Sequence, residues 1–226
     1  MTKKVAVILS GCGVYDGAEI HESVLTLLRL DQRGAAVKCF APNIPQHHVI
    51  NHLTGEEMPE SRNVLVESAR IARGAIEDIR EADVTEFDAL IIPGGFGAAK
   101  NLSDFSTQGA GCKVQAEVLA MAEAFAAAGK PIGLICVSPA LAAKIYGPGV
   151  TCTIGNDADT AAAITRMGGT HQECEVTEIV EDKDRKLVST PAYMVAKSIG
   201  DAASGINKLV DRVLELVQEN EDRLPD

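Results

Sequence analysis

The feature that most constrains the fold is a repeated alternation of short apolar runs with segments of helical spacing. Four runs rich in Val and Ile occur, at 5–9, 37–41, 89–92 and 131–135. Each is followed by Gly, Pro or Cys and then by helical spacing. Strands that are apolar on both faces and separated by helices belong to a parallel sheet covered on both sides. The alternation therefore predicts an α/β fold around a mostly parallel sheet, with helices on both faces.

Four stretches of helical spacing supply the covering helices. Apolar residues recur every three or four positions over 22–33, over 62–73 and over 114–128, and Ser61 is placed to cap the second stretch. The clearest stripe runs from 206 to 217, where apolar side chains repeat at i, i+3, i+4, i+7, i+8 and i+11. This spacing predicts four helices that each present an apolar face to the sheet.

The segment 179–191 departs from the alternation. It reads as two strands joined by a charged turn, which predicts an antiparallel addition to one edge of the sheet. The chain has 226 residues without a repeat or a linker, which predicts a single domain over 1–226. Only the polar end, 218–226, is expected to form a loose tail.

The charge of the chain narrows its partners. The formal net charge is −11 at pH 7, and no block of Lys or Arg offsets it locally. Such a chain repels phosphate backbones and anionic lipids, which argues against nucleic acid and membrane partners. The apolar run 5–9 is too short for a signal-peptide core, and no run is long enough for a transmembrane helix. We therefore expect a cytoplasmic protein.

The six cysteines are expected to be reduced thiols. A cytoplasmic chain of this size has its own core and needs no disulfide framework. No CxxC pair occurs, and His48 and His52, which could share a helix face, lie in a proline-flanked stretch without a nearby cysteine. The sequence therefore predicts no metal site.

Cys136 is the residue whose position points most directly to chemistry. It follows the apolar run 131–135, and Val137, Ser138 and Pro139 come next, the last of which suits a first helical turn. Free N–H groups and the positive end of a helix dipole lower the pKa of a thiol at such a corner. Most lone cysteines are small core residues, but this position predicts an activated thiol.

Two further loops carry candidate partners for this thiol. Ligands of an open α/β sheet bind beyond the carboxyl ends of its strands, and there the glycines of PGGFGAAKNL can turn backbone N–H groups toward a ligand. Glu19 and Glu22 stand near the start of the first helix, where an acid serves either catalysis or the helix dipole. The glycines of their loop miss the spacing GxGxxG by one residue, so we expect no nucleotide cofactor.

Six motifs spread over almost the whole chain resemble one family. They are ILSGCGVYDGAEIHE, VINHLTGE, PGGFGAAKNL, GLICVSPA, TIGNDADTA and STPAYM. In this order they are similar to the ElbB glyoxalases, described as isoprenoid-biosynthesis proteins with an amidotransferase-like domain, in the ThiJ/PfpI branch of the class I glutamine amidotransferase-like superfamily. The resemblance implies a flavodoxin-like three-layer sandwich, a nucleophile-elbow cysteine and a homodimer. It also implies conversion of glyoxal to glycolate without glutathione, metal or another cofactor.

The resemblance assigns roles to individual residues. The elbow cysteine maps onto Cys136, and the backbone donor of the PGG loop maps onto Gly95, with Val137 as a second donor to an oxyanion. The partner acid maps best onto Glu22, with Glu19 as the runner-up. Four other residues are candidates for the pocket, although packing or turn roles are the commoner ones for such residues: Cys12, Ser10, His21 and Asn101.

One departure from the family pattern limits the chemistry. Many relatives carry a histidine directly after the elbow cysteine or nearby, where this chain has Val137, and His171 follows a helix at the wrong end for this role. What remains is a Cys–Glu pair, which suffices for a lyase acting on a small dicarbonyl or aldehyde. The alternatives are a redox sensor or a regulatory protein, which would use a low-pKa Cys136 thiol without aldehyde turnover.

Overall fold

A seven-stranded sheet organises the protein, whose structure, a computed structural model, describes residues 1–223. The strands found in this range are β1 Lys4–Ile8, β2 Ala36–Ala41, β3 Ile76–Asp78, β4 Ala89–Ile92, β5 Ile132–Ile135, β6 Thr151–Cys152, β7 Thr170–His171, β8 Val180–Asp182 and β9 Leu187–Thr190. The order in the large sheet is β3-β2-β1-β4-β5-β9-β8, while β6 and β7 form a separate pair. All neighbours in the large sheet are parallel except β8 and β9.

Helices connect the parallel strands. Those found within residues 1–223 are α1 Ile20–Gln32, α2 Val64–Ile71, α3 Phe96–Lys100, α4 Phe105–Gln108, α5 Ala116–Ala127, α6 Ala142–Tyr146, α7 Ala158–Arg166 and α8 Ile199–Glu221. The four predicted helices correspond to α1, α2, α5 and α8. The central order β2-β1-β4-β5-β9 is the flavodoxin-like order, in which ligands bind where the strand order reverses, between β1 and β4.

The sheet is packed on both faces, as the alternation predicts. Successive residues of β1 point to opposite faces: Ala6 and Ile8 join the core under α5, whereas Val5 and Val7 join the core under α8. All four side chains are fully buried. This arrangement confirms the predicted flavodoxin-like three-layer sandwich.

Three predicted helix starts are each wrong by two residues. Helix α1 begins at Ile20 rather than at 22. The second helix is capped by Asn63 rather than Ser61, because the Asn63 side chain accepts a hydrogen bond from Val66 N at 3.0 Å. Helix α5 begins at Ala116 rather than at 114, since the Gln115 side chain accepts from Val118 N at 2.9 Å.

The segment 179–191 forms the two predicted strands, but only one of them lies at the edge of the sheet. Strands β8 and β9 pair antiparallel, and β9 also pairs parallel with β5, so only β8 lies at the edge. The predicted loose tail is helical over 218–221, where α8 is fixed by an Arg212–Glu219 ion pair of 2.8 Å and by Asn220 Nδ2 donating to Gly129 O at 3.1 Å. The end of that predicted tail, 224–226, lies outside the described residues. In the range 1–223, no helix is both long and apolar enough to cross a membrane.

Two glycines of α8 are expected to respond oppositely to a methyl group. A Cβ on Gly205 would lie 2.4 Å from Val176 O and 2.6 Å from Thr190 Oγ1, whereas a Cβ on Gly200 would meet nothing closer than Ser198 Oγ at 3.8 Å. Gly205→Ala should lower the free energy of unfolding by about 1–3 kcal/mol, because the helix must move away from the backbone at 176. Gly200→Ala should raise it by up to about 1 kcal/mol through helix propensity.

Urea denaturation of the two variants beside the wild type measures both changes. Equal effects of the two substitutions would contradict the close approach of α8 at Gly205.

Candidate active site

Cys136 lies at the carboxyl end of β5, where the chain turns sharply. Its φ is 64°, in the left-handed region that residues with a Cβ seldom adopt. The turn is held by Cys136 N, which donates to Thr190 O at 3.0 Å, and by Ser138 Oγ, which donates to Pro93 O at 2.8 Å. The strained backbone conformation and the thiol therefore belong to the same residue.

The carboxyl group of Glu22 contacts this thiol. Glu22 lies in the first turn of α1, is fully buried, and forms a side-chain hydrogen bond with Cys136. Its Oε1 accepts from Gly94 N at 3.1 Å, and its Oε2 accepts from Tyr193 N at 3.2 Å. Glu19, the other acid considered from the sequence, instead caps α1, since its Oε2 accepts from Glu22 N at 2.7 Å.

The glycine pair after β4 makes this approach possible. A Cβ on Gly94 would lie 2.3 Å from Cys136 Cβ and 2.6 Å from Glu22 Oε1, so a side chain there would separate the acid from the thiol. Gly95 has a φ of 95°, and a Cβ there would lie 2.3 Å from Glu19 N. With this backbone, the N–H groups of Gly95 and Val137 both donate toward the Cys136 sulfur.

The two buried groups have raised pKa values. Burial raises the pKa of the Glu22 carboxyl to about 8, and the nearby Glu19 carboxylate adds to the rise. Burial also raises the pKa of the Cys136 thiol well above its usual range, and the charge of Glu22 adds to this. The donors Gly95 and Val137 act in the opposite direction without offsetting these effects.

The lowered thiol pKa predicted from the sequence is therefore wrong in direction. The element after Cys136 is a 3₁₀ turn, Ser138–Leu141, that continues into the five-residue helix α6, and the sulfur is removed from water beside an acid. Desolvation of the buried thiol outweighs the dipole of this short helical segment.

A cavity of about 420 Å³ opens beside the sulfur. Cys136, Val137, Gly95 and Glu19 line it, so four of the residues predicted for the site share its surface. Most of the remaining wall is apolar and is formed by Val14, Phe96, Ala99, Phe105, Tyr193 and Met194. The polar part of the wall includes Ser106, Asp157 and Thr160.

The other residues predicted for the pocket do not line this cavity. Asn101 holds the loop after β1 in place, because its amide nitrogen donates to Ser10 O at 2.8 Å and to Asp16 O at 2.9 Å. Ser10 is buried under α3, where a Cβ on Gly97 would lie 2.3 Å from its Oγ.

Cys12 and His21 also stand outside the cavity wall. The loop that carries Cys12 is anchored to α2, since Gly11 N donates to Ser68 Oγ at 2.8 Å. His21 reaches the cavity only through Tyr193, whose hydroxyl lies 2.6 Å from His21 Nδ1. None of these four residues lines the cavity. Ser10 and Cys12 lie in the part of the loop after β1 that packs on α3 and α2, whereas His21 lies in α1 and Asn101 follows α3.

Several wall residues were missed from the sequence. Tyr193 and Met194 follow β9 in the motif STPAYM, and Phe96 follows the glycine pair of PGGF. Asp157 and Thr160 begin α7, within the motif TIGNDADTA. Each belongs to a motif that carries the family resemblance, so position in those motifs was the available signal.

Comparisons with known proteins agree with the fold and with the motifs. No family model matches the chain. The human glutamine amidotransferase-like class 1 domain-containing protein 3, mitochondrial, is 49% identical over 223 residues, which cover 94% of this chain and 83% of that protein. The crystal structure of an isoprenoid biosynthesis protein with amidotransferase-like domain from Ehrlichia chaffeensis has a TM-score of 0.90 and 40% identity, over 96% of this chain and 100% of the other.

A more distant structure shares the fold alone. Glyoxalase III from Candida albicans has a TM-score of 0.62 and 13% identity, over 95% of this chain and 97% of that chain. The human and Ehrlichia identities are high enough, over nearly the whole chain, to establish kinship. The chain therefore belongs to the family of glutamine amidotransferase-like class 1 domain proteins.

Proposed function

We propose that this protein is a glutathione-independent glyoxalase that converts glyoxal to glycolate without a cofactor. The observation that carries the proposal is the contact between the Glu22 carboxyl and the Cys136 thiol, both buried, beside two backbone N–H donors and a cavity. A nucleophile, a group that can take and return a proton, and donors for an oxyanion are what an internal redox reaction of a dicarbonyl requires. In this proposal Cys136 is the nucleophile elbow.

The first step is attack of sulfur on one carbonyl carbon of glyoxal. The raised pKa of Cys136 means that the thiol must lose its proton during attack. Glu22 accepts that proton in its ionised form, which is the minor form at neutral pH because its pKa is about 8. The new oxyanion lies where the N–H groups of Gly95 and Val137 point. Glu22 then returns the proton to this oxygen, and the product is a hemithioacetal on Cys136.

The second step moves hydrogen from one carbon to the other. Glu22, again a carboxylate, takes the proton from the carbon bound to sulfur, which gives an enediolate with its charge on the neighbouring oxygen. Glu22 returns this proton to the neighbouring carbon, while the hydroxyl proton on the first carbon moves to the neighbouring oxygen. The carbon on sulfur is thereby oxidised to a thioester while its neighbour is reduced to an alcohol. Water cleaves the thioester, restores the thiol and releases glycolate, so the sum is glyoxal plus water to glycolate plus a proton.

Glutamine hydrolysis is not supported by the site, despite the family name. Within residues 1–223 no histidine lines the cavity, and Val137 follows the cysteine. His171 is occupied elsewhere, since its Nε2 accepts from Ile154 N at 3.1 Å. The redox-sensor alternative required a low-pKa thiol, whereas burial raises the pKa of Cys136.

Several expectations stay predictions. They are the assignment as a lyase, the homodimer, the cytoplasmic location, the single domain over 1–226, and the absence of nucleic acid and membrane partners. The human relative is named as a mitochondrial protein, which leaves the location of this chain to direct measurement.

Substitutions at Glu22 separate proton transfer from geometry. Glu22→Gln keeps the shape of the side chain but cannot exchange a proton, so turnover of glyoxal should fall by about 10²-fold or more. Glu22→Asp keeps the acid but withdraws it by one methylene, so it should lose activity through geometry and retain more of it than the Gln variant. Glycolate formation measured by chromatography, with Cys136→Ser as the inactive control, gives the three rates. A wild-type rate in Glu22→Gln would sink the shuttle.

The buried acid should also make stability depend on pH. The pKa of Glu22 is about 8 in the folded state, above its usual value of 4.5. Between pH 4.5 and 8, Glu22 therefore keeps its proton in the folded state but has lost it in the unfolded state. Protonated Glu22 contributes its full stabilisation to the folded state below pH 4.5. As pH rises from there through about 8, the free energy of unfolding should fall by about 1.4 kcal/mol per pH unit. Glu22→Gln should remove this slope, so that the variant becomes more stable than the wild type toward pH 8.

Urea denaturation at intervals between pH 4.5 and 8 tests this. Cys136→Ser is the matched control and should keep the slope, because burial is the main cause of the raised Glu22 pKa. Parallel stability profiles for the wild type and Glu22→Gln would contradict the raised pKa.

A further inference from the structure

The cavity beside Cys136 is larger than a two-carbon substrate needs. Its volume is about 420 Å³, and cavities of about 300–1,000 Å³ typically bury drug-sized ligands. Glyoxal has only four non-hydrogen atoms, and it would leave most of this space to water. Space of this size next to the nucleophile indicates that the substrate carries a further group.

The wall of this space is suited to an apolar group. Two phenylalanines, Phe96 and Phe105, line it together with Val14 and Met194. Phe96 is 46% exposed and is one of the residues that line the cavity. A ligand that covers this ring removes apolar surface from water, which is the main favourable term in binding an apolar group.

The charges at the cavity select against anions. The carboxyl groups of Glu19 and Asp157 line it, and in the part of the chain that the structure describes no lysine or arginine does so. Lys100 lies outside, with its Nζ 5.1 Å from the centroid of the Phe96 ring and donating to Tyr15 O at 2.7 Å. An anionic substrate would therefore meet like charges without a cation on the wall to offset them.

We infer that the substrate of this site is a 2-oxoaldehyde that carries an apolar group and no negative charge. This inference rests on the proposed function and extends its substrate from glyoxal to a class of compounds. The aldehyde carbon of this substrate reaches the Cys136 sulfur, and its apolar group covers Phe96 and Phe105. The negative charge of Asp157 repels substrates that carry a carboxylate or a phosphate. Glyoxal, which lacks the apolar group, is then a minimal substrate of the same reaction.

Turnover of matched substrates tests the inference first. The wild type should show a kcat/KM for phenylglyoxal at least about tenfold above that for glyoxal, and a comparable loss when the ring carries a 4-carboxylate. Phe105→Ala should reduce the ratio of phenylglyoxal to glyoxal, and Phe105→Leu should keep more of it. Asp157→Asn should narrow the gap between phenylglyoxal and its 4-carboxylate, since asparagine can still cap α7.

Val66→Ala is the control for these variants. Val66 lies on α2, is 61% exposed and does not line the cavity, so this change should leave both ratios at the wild-type values.

Alkylation of Cys136 gives a second readout that needs no turnover. Rates with N-benzyl iodoacetamide, iodoacetamide and iodoacetate are each divided by the rate with N-acetylcysteine and followed by peptide mass spectrometry. At Cys136 the normalised rate should be highest with N-benzyl iodoacetamide and lowest with iodoacetate. Phe105→Ala should reduce the difference between N-benzyl iodoacetamide and iodoacetamide, and Asp157→Asn should reduce the difference between iodoacetamide and iodoacetate.

The two readouts separate failure of the inference from failure of the proposed function. Turnover of glyoxal with no preference for phenylglyoxal, together with equal normalised alkylation rates, overturns the inference and leaves the glyoxalase in place. Selective alkylation without turnover of any aldehyde overturns the glyoxalase and supports the selectivity of the cavity for apolar ligands without negative charge. If there is neither turnover of any aldehyde nor selective alkylation, both the inference and the proposed function are overturned.

Discussion

The contact between the Glu22 carboxyl and the Cys136 thiol is the interaction on which the arrangement of the site depends. The acid comes from α1 and the thiol from the end of β5, while the N–H groups that fix the acid come from the loop after β4 and from residue 193. Glu22 is fully buried, and Cys136 is only 7% exposed. Desolvation raises both pKa values, so the pair holds its protons at neutral pH and releases one only with difficulty.

Holding this pair together stores free energy in the backbone. Cys136 and Ala192 both have positive φ values, 64° and 43°, although each carries a Cβ. Both follow the paired strands β5 and β9, whose register joins Ile135 to Thr190. The helix α8 and the buried residues of both strands secure this strand pair, so the core of the protein compensates for strain at the site. The strained turns direct the sulfur of Cys136 and the N–H of Tyr193 toward the same carboxyl group.

The sequence was sufficient to predict the layers of the fold and two central residues of the site, since carboxyl ends of parallel strands meet at one edge of a sheet. Glu22 and Cys136 follow from that rule and from the family motifs. The roles of Ser10, Cys12 and Asn101 could not be predicted, because they depend on how one loop folds onto α2 and α3. The direction of the thiol pKa was missed for a similar reason: desolvation depends on long-range packing, whereas the helix dipole can be read locally.

Reaction of the wild type with glyoxal in D₂O, with the glycolate analysed by mass spectrometry and proton NMR, tests the central claim most directly. If Glu22 takes the proton from one carbon and returns it to the other, its acid proton exchanges with solvent and a substantial fraction of the product carries one deuterium on carbon. Glycolate without carbon-bound deuterium would indicate direct hydride transfer and contradict the role of Glu22. A yield of glycolate no higher than that of Cys136→Ser would contradict the account as a whole.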